Sequence, residues 1–153
     1  ISLVALIIFG ATGSMAVGNG GVDPPKPDKQ DFADGKSAAY SGRYQTAIRL
    51  LKQGVNREPR NADAHNYLGF SYRKLGKLEL AAASYQRVFS IDPNHKGALE
   101  YQGELYLILG HLSSAQKNVT RLENLCPSTC KELAELKRAI ADFTATSVSG
   151  PGS

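Results

Sequence analysis

The sequence predicts an all-α solenoid of three helix-turn-helix repeats with a C-terminal capping helix. The main observation is a fixed repeat period of about 34 residues, at which two glycine columns, an alanine column and a proline column recur without an insertion. The columns are Gly35, Gly69 and Gly103; Gly42, Gly76 and Gly110; Ala47, Ala81 and Ala115; and Pro59, Pro93 and Pro127. Self-similarity at this period indicates stacked supersecondary units. The second observation is a set of apolar residues at helical spacing after the last proline, which predicts the capping helix.

The first element, residues 1–16, has the layout of a secretory signal peptide or of an N-terminal anchor. An uncharged apolar run, residues 3–9, is followed by small residues and a cleavage point after Ala16. The chain begins at Ile1 without a Met, so we expect a short basic leader upstream. A helix of this length spans only ~25 Å, which is short for the hydrocarbon core of a bilayer. We therefore expect an extracytoplasmic protein, most simply in the bacterial periplasm, with a membrane-anchored protein facing the periplasm as the alternative.

Residues 17–27 (VGNGGVDPPKP) follow as a predicted flexible linker. The glycines and the cluster of Pro24, Pro25 and Pro27 cannot supply a core and favour an extended path. We expect ordered structure to begin near Asp28.

Three repeats, residues 28–61, 62–95 and 96–127, each read as two helices of similar length. The second glycine column stands where the first helix must end, because glycine adopts the left-handed conformation beyond a helix end without penalty. The proline column ends the second helix, since proline lacks the N–H that would continue it. The first glycine column falls inside the first helices, where each glycine costs ~1 kcal/mol relative to alanine. We expect the alanine column to face it, so that the two helices of each pair cross closely.

The second repeat, residues 62–95, resembles the tetratricopeptide repeat family. Its matching residues are Leu68, Gly69, Tyr72, Gly76, Ala81, Tyr85 and Pro93. The third repeat has Val119 in place of the aromatic residue, and the first has Asp34 and Ala38 in place of the Leu and the Tyr. The resemblance covers residues 28–127 and implies a stack of helix pairs, for which three repeats are about the minimum.

The C-terminal part of the chain predicts a capping helix over residues 129–143. Thr129 followed by Glu132 forms a capping box. The apolar residues that share one helical face are Leu133, Leu136, Ile140 and Phe143. The tail, residues 144–153, has turn formers and almost no apolar content, so we expect it to be disordered.

Cys126 and Cys130 allow several interpretations. A metal site would need further ligands, and the three histidines are scattered singly over the three repeats. A redox pair usually has two intervening residues rather than three. A structural disulfide fits an exported protein, and the turn at Pro127 can bring the two Cα atoms within bridging range. Unpaired buried thiols remain the other alternative.

The sequence gives no support for catalysis, a cofactor or a metal. No Ser/His/Asp or Cys/His set shares a face, and neither a phosphate-binding loop nor a haem-attachment pattern occurs. Basic residues (18) barely exceed acidic ones (14), and no basic run is interleaved with aromatic residues, so we expect no nucleic-acid partner. We therefore expect a non-enzymatic protein.

The resemblance implies that the first helices line a concave groove that accepts an extended peptide or a partner helix. The residues expected there are Phe32, Lys36, Tyr40, Asn66, Phe70, Arg73, Lys74, Glu100, Glu104 and Ile108. We expect a groove that is basic at one end and acidic at the other, with Tyr40 and Phe70 as aromatic anchors. Tyr67 and Tyr101 are expected at the seams between repeats.

The residues at five positions argue against one subclass of the family. Tetratricopeptide repeat domains that grip the C-terminal carboxylate of chaperones use Lys, Asn and Arg at five positions. The corresponding residues here are Phe32, Lys36, Tyr67, Gly97 and Tyr101. Only Lys36 is basic and no Asn is present, so we do not expect that clamp.

Two functions follow as hypotheses. The first is an adaptor in the cell envelope that holds a segment of another protein in the groove. The alternative is a structural subunit of a larger envelope complex, bound to the membrane only through residues 1–16. Self-association through the repeat ends is a third possibility, because no capping helix precedes the first repeat.

Overall fold

Seven α-helices make up the computed structural model of this chain, which describes residues 28–126 and 128–148. They are α1 (Asp28–Tyr40), α2 (Tyr44–Arg57), α3 (Ala62–Lys74), α4 (Leu78–Ile91), α5 (Lys96–Ile108), α6 (Leu112–Leu125) and α7 (Lys131–Val148). Consecutive helices pack in pairs, α3 also contacts α1 and α5, and α7 packs against α5 and α6. The all-α solenoid is thus confirmed. The predicted signal peptide or anchor (residues 1–16), the linker, Pro127 and the last residues of the tail lie outside the described residues.

The turns within the three pairs confirm the role of the second glycine column. Gly42, Gly76 and Gly110 have φ values of 73°, 71° and 76°. In the first turn, the N–H of Gly42 bonds to the carbonyl of Ala39 (3.1 Å) and that of Arg43 to the carbonyl of Ala38 (2.9 Å). The other two turns repeat both bonds. This pattern is the Schellman motif, which satisfies the last carbonyl groups of a helix.

The first glycine column marks close helix crossings, but the residues opposite are large rather than small. A Cβ on Gly35 would lie 2.7 Å from Leu51 Cγ, and one on Gly69 would lie 2.5 Å from Tyr85 Cε1. A bulky side chain therefore fills the space that the missing Cβ leaves, and it lies nearer to each of these two glycines than the alanine column does.

The third glycine of this column differs from the other two. A Cβ on Gly103 would lie 2.5 Å from Leu136 Cδ1, so its neighbour comes from α7 rather than from α6. Val119, which occupies the position equivalent to Leu51 and Tyr85, is smaller than either. The capping helix thus completes the third repeat.

The core is continuous along the stack. A first cluster, which includes Leu51 and Leu68, joins α1, α2 and α3, and a second, around Tyr85, joins α4 and α5. Tyr72 packs against both of these clusters, while Phe89 packs against the second and the third. The third cluster joins α5, α6 and α7. Each repeat therefore buries its apolar surface against the next, as expected of stacked units.

A column of two arginines at the repeat period also connects the repeats. Arg87 donates from Nη2 to the carbonyl oxygen of Pro59 over 3.3 Å. Arg121, which lies one repeat period later, donates to the carbonyl oxygen of Pro93. Each arginine thus satisfies the proline carbonyl that ends the preceding repeat.

The capping helix starts later and ends later than its sequence predicts. It begins at Lys131, so the residue directly before the helix is Cys130. Thr129 therefore does not hold the N-cap position that the predicted capping box requires. It continues to Val148, so the prediction of a disordered tail is wrong for residues 144–148, which are helical. Leu133 and Leu136 are buried in the third cluster, in agreement with the predicted apolar face.

Cys126 and Cys130 lie at disulfide distance, with their Cα atoms 5.8 Å apart. Cys126 is buried in the third cluster beside α7. No group of three potential metal ligands occurs within the described residues. Nor do these residues contain a helix that is long and apolar enough to cross a membrane.

Candidate functional site

The first helices of the three repeats, α1, α3 and α5, lie side by side and carry all ten residues predicted for the groove. We call their shared surface the concave face, after the groove that the family resemblance implies there. Three of the ten are exposed, namely Tyr40, Lys74 and Ile108; four are half-buried, namely Phe32, Lys36, Phe70 and Glu104; and three are buried, namely Asn66, Arg73 and Glu100. Fewer residues are therefore accessible to a partner than the ten that were predicted.

Two groups of aromatic rings line this face. In the first, the ring of Tyr67 lies 5.5 Å from Tyr40 and 6.1 Å from Phe32, and the hydroxyl oxygens of Tyr40 and Tyr67 are 2.8 Å apart. In the second, the ring of Phe70 lies 4.9 Å from Tyr101 and 6.0 Å from Tyr44. Tyr67 and Tyr101 thus lie at the seams between repeats. The rings are held in fixed positions by one another.

A cationic side chain lies over the rings of each group. Lys36 Nζ is 5.3 Å from the ring centre of Tyr67, and Lys74 Nζ is 5.6 Å from that of Phe70. The guanidinium of Arg73 lies 5.6 Å from the ring centre of Phe70 and 5.7 Å from that of Tyr101. Such contacts contribute about 0.5–1 kcal/mol each at exposed sites and more where water is excluded.

The acidic end that the sequence predicted is largely compensated. Arg73 Nη2 lies 2.5 Å from Glu104 Oε2, and only 5% of the Arg73 side chain is exposed. Asp63 is hydrogen-bonded by His95 across 3.1 Å. Lys36 and Lys74, by contrast, have no ion pair within the described part of the chain. The uncompensated charge on the concave face is therefore positive.

Glu100 is an acidic residue that the fold keeps from water. Burial raises its pKa to about 7, and the nearby carboxylates of Glu104 and Glu132 add to this effect. The carboxyl group is thus close to half-protonated at neutral pH, so it contributes less negative charge than its residue type suggests.

Asn66 serves the contact between helices rather than the surface. It is 3% exposed, and its Nδ2 would lie 3.1 Å from a Cβ on Gly97 of the next repeat. Its Oδ1 is buried and has no hydrogen-bond partner among the described residues. The lack of a side chain at Gly97 therefore gives Asn66 the room it occupies.

Tyr44, which is not among the residues predicted for the groove, packs edge-on against Phe70. Tyr44 is the first residue of α2, a second helix, whereas the family resemblance assigns the groove to first helices. No column at the repeat period marks it, since Leu78 and Leu112 occupy the equivalent positions.

The open end of the first repeat is polar. A surface cavity of about 210 Å³ there is lined by Asp34, Ser37, Ala38, Arg43, Thr46 and Leu50. Asp34 and Ala38 are equivalent to Leu68 and Tyr72, which pack on the first cluster in the second repeat. The substitutions thus leave no large apolar side chain at these two positions.

Comparisons with known proteins agree with this architecture. Residues 32–96 match the family model described as "Tetratricopeptide repeat". A curated relative from Hordeum vulgare, "Probable UDP-N-acetylglucosamine--peptide N-acetylglucosaminyltransferase SPINDLY", is 31% identical over 87 residues. The match covers 57% of this chain but only 9% of the length of that relative.

Three solved structures have a similar fold. The first TPR domain of the human RPAP3 protein superposes with a TM-score of 0.67 at 20% identity, covering 81% of this chain and 97% of that one. The first TPR of Spaghetti (RPAP3), bound to the HSP90 peptide SRMEEVD, gives 0.66 at 21% identity, with 77% and 93% covered. The Yersinia enterocolitica type III secretion translocator chaperone SycD gives 0.66 at 18% identity, with 82% and 95% covered.

Proposed function

Because this chain carries tetratricopeptide repeats, we propose that it is a non-enzymatic adaptor that holds a segment of another protein on its concave face. Tetratricopeptide repeat domains mediate protein–protein interactions. The similarity to the plant transferase covers 9% of that relative, so the proposal takes the binding role and not the transferase activity.

The observation that carries this proposal is the pair of aromatic groups with cations over them. Tyr40, Tyr67, Phe70 and Tyr101 are held in place by contacts with neighbouring rings, so little side-chain entropy would be lost on binding. Aromatic residues and Arg are also the types that most often dominate binding energy. The same face combines apolar area with positive charge, as a binding surface for a polypeptide requires.

The partner segment differs from the one in the solved neighbour that holds an HSP90 peptide. The five positions at which a carboxylate clamp would be expected hold four uncharged residues and Lys36. Tyr67 among them is 7% exposed and is bonded to Tyr40. We therefore infer that the face binds an internal segment of its partner rather than a C-terminal carboxylate.

We place the adaptor in the cell envelope, most simply the bacterial periplasm. The apolar run of residues 3–9 supports export, and an oxidising compartment suits a cysteine pair at disulfide distance. The same run favours the second candidate function, a structural subunit that stays anchored to the membrane through residues 1–16 and faces the periplasm.

Cross-linking mass spectrometry on the protein isolated from its native membranes and envelope would test both candidates. For the adaptor we expect a mature N-terminus at Val17 and cross-links from Lys36 and Lys74 to one partner protein. Lys52, exposed on α2, is the control and should not join that partner. An intact N-terminus, with cross-links to integral membrane proteins and none from the concave face, would support the anchored subunit instead.

A substitution on the face provides the second test. Phe70→Ala removes the central ring of the second aromatic group and should abolish partner binding. Leu80→Ala is the matched control, because Leu80 is an exposed apolar residue (48%) on α4, away from the first helices. Equal binding by both variants would refute the concave face as the site.

A further inference from the structure

Large apolar side chains are exposed at few places in the described part of the chain. They are Tyr40 (58%), Leu80 (48%), Ile108 (55%) and Leu109 (42%). Tyr40 and Ile108 are two repeat periods apart, and each is the last residue of a first helix, α1 or α5. Half of these exposed residues therefore occupy one structural position.

The equivalent residue of the second repeat is Lys74, the last residue of α3, which is also exposed. Tyr40, Lys74 and Ile108 form what we call the helix-end row, with an apolar, a cationic and an apolar member. Tyr40 is fixed by its hydroxyl contact with Tyr67, and Lys74 lies over the Phe70 ring. The row is thus an ordered part of the concave face.

The charge in the middle of the row is free to act on a partner. Lys74 has no ion pair among the described residues, whereas the nearby carboxylates are engaged, Glu104 by Arg73 and Asp63 by His95. A partner carboxylate would therefore meet an uncompensated cation beside an aromatic ring.

The spacing of the row matches an extended polypeptide. Packed helices lie 8–10 Å apart, and an extended chain advances about 3.3 Å per residue. One step along the row thus corresponds to about three residues of partner. The apolar–cationic–apolar order is symmetric, so a segment running in either direction presents the same pattern.

We propose that the helix-end row binds an extended segment in which an Asp or Glu is flanked, about three residues away on both sides, by a large apolar residue. The inference rests on the proposed function, since it names the chemistry of the segment that the concave face holds. Tyr40 and Ile108 contact the two apolar residues, and Lys74 pairs with the carboxylate.

Selection from a random peptide library displayed on phage, carried out on the full chain and on Lys74→Glu, tests the proposal. Peptides selected on the wild type should carry the acidic residue with its two apolar flanks, whereas Lys74→Glu should select Lys or Arg at the central position. A synthetic peptide of the wild-type pattern, with capped ends, should bind Lys74→Glu about tenfold more weakly, because an attraction becomes a repulsion of similar size.

Controls separate this inference from the function it rests on. Lys77→Glu makes the same charge change at an exposed site in the α3–α4 turn and should leave binding unchanged. Lys74→Gln, which removes the charge without reversing it, should give an intermediate loss. One contrary result is that the selected peptides need Phe70 for binding and yet lack the acidic residue with its two apolar flanks; another is that they bind Lys74→Glu as tightly as the wild type. Either result would overturn this inference and leave the proposed function intact. If no selected peptide requires Phe70, the proposed function falls as well.

Discussion

His95, the N-cap residue of α5, connects the start of that helix to α3 through a hydrogen bond to Asp63. Its Nδ1 accepts the N–H of Ala98 over 3.1 Å and so caps α5. A neutral ring then carries its proton on Nε2, which donates to Asp63 Oδ1 over 3.1 Å. One side chain thus both caps α5 and connects it to α3.

His95→Ala should therefore destabilise the stack by about 1 to 2 kcal/mol, since it removes a helix cap and the hydrogen bond that connects the start of α5 to α3. Urea unfolding monitored by circular dichroism would measure the change. His111→Ala is the control, because His111 precedes α6 at the equivalent position without making a side-chain cap. A similar loss in both variants would contradict the assigned role of His95.

Gly69→Ala should cost about 1 to 3 kcal/mol in the free energy of unfolding, despite the better helix propensity of alanine. The added Cβ would lie 2.5 Å from the fully buried ring of Tyr85. Gly54→Ala, inside α2, meets only Phe32 N at 3.8 Å and should be stabilising by about 0.5–1 kcal/mol. Thermal unfolding should show a lower melting temperature for Gly69→Ala and a higher one for Gly54→Ala. Shifts of the same sign would show that the close approach of the neighbouring helix is not the reason for glycine at position 69.

Glu100 should make stability fall as pH rises through the neutral range. The carboxyl loses its proton near pH 4.3 in the unfolded chain but only near pH 7 in the folded protein. The folded state therefore binds more protons between these values, and stability decreases with pH there. A shift of this size corresponds to roughly 3 to 4 kcal/mol without solvent screening. Because screening reduces this value, the wild type should lose of the order of 2 kcal/mol relative to Glu100→Gln between about pH 4 and about pH 8.

The control for this titration is Glu79→Gln, which removes an exposed carboxylate at the start of α4. Its urea unfolding midpoint should follow the pH dependence of the wild type. If Glu100→Gln retains the full pH dependence of the wild type, the raised pKa is not a source of it.

The Cys126–Cys130 pair should contribute about 2 kcal/mol when oxidised, since a disulfide that closes so short a loop adds little. Reduction with dithiothreitol is the test, because substituting buried Cys126 would also disturb the third cluster. The loss should be accompanied by faster hydrogen exchange in α7 than in α3. Uniform acceleration along the chain would show that the bond does not act by holding the capping helix.

The columns of glycine and proline predicted the helices well because they mark helix ends directly. Gly42 and its equivalents fix the turns through their positive φ, which depends only on local chemistry. The end of α7, at Val148 rather than residue 143, was not predicted because no such residue marks it. No Gly or Pro occurs between Pro127 and Gly150, so nothing local stops the helix where its apolar face ends.

The repeat pattern places the ten predicted residues on α1, α3 and α5, but it does not predict how these residues pair. The family resemblance placed Arg73 and Glu104 on neighbouring helices, yet the ion pair between them depends on how α3 and α5 pack. Tyr44 lay outside the pattern altogether, since it enters from α2. Contacts between repeats therefore determine which charged side chains remain without an ion pair. The repeat period alone does not predict these contacts.

The contact between Gly103 and Leu136 also sets an order of assembly. Gly35 and Gly69 find their bulky neighbours in the very next helix, whereas the neighbour of Gly103 belongs to α7, the second helix after its own. Contacts between residues distant in sequence form more slowly than local ones. We therefore expect the third repeat to be the last part of the stack to close, since it stays open until α7 brings Leu136 against Gly103.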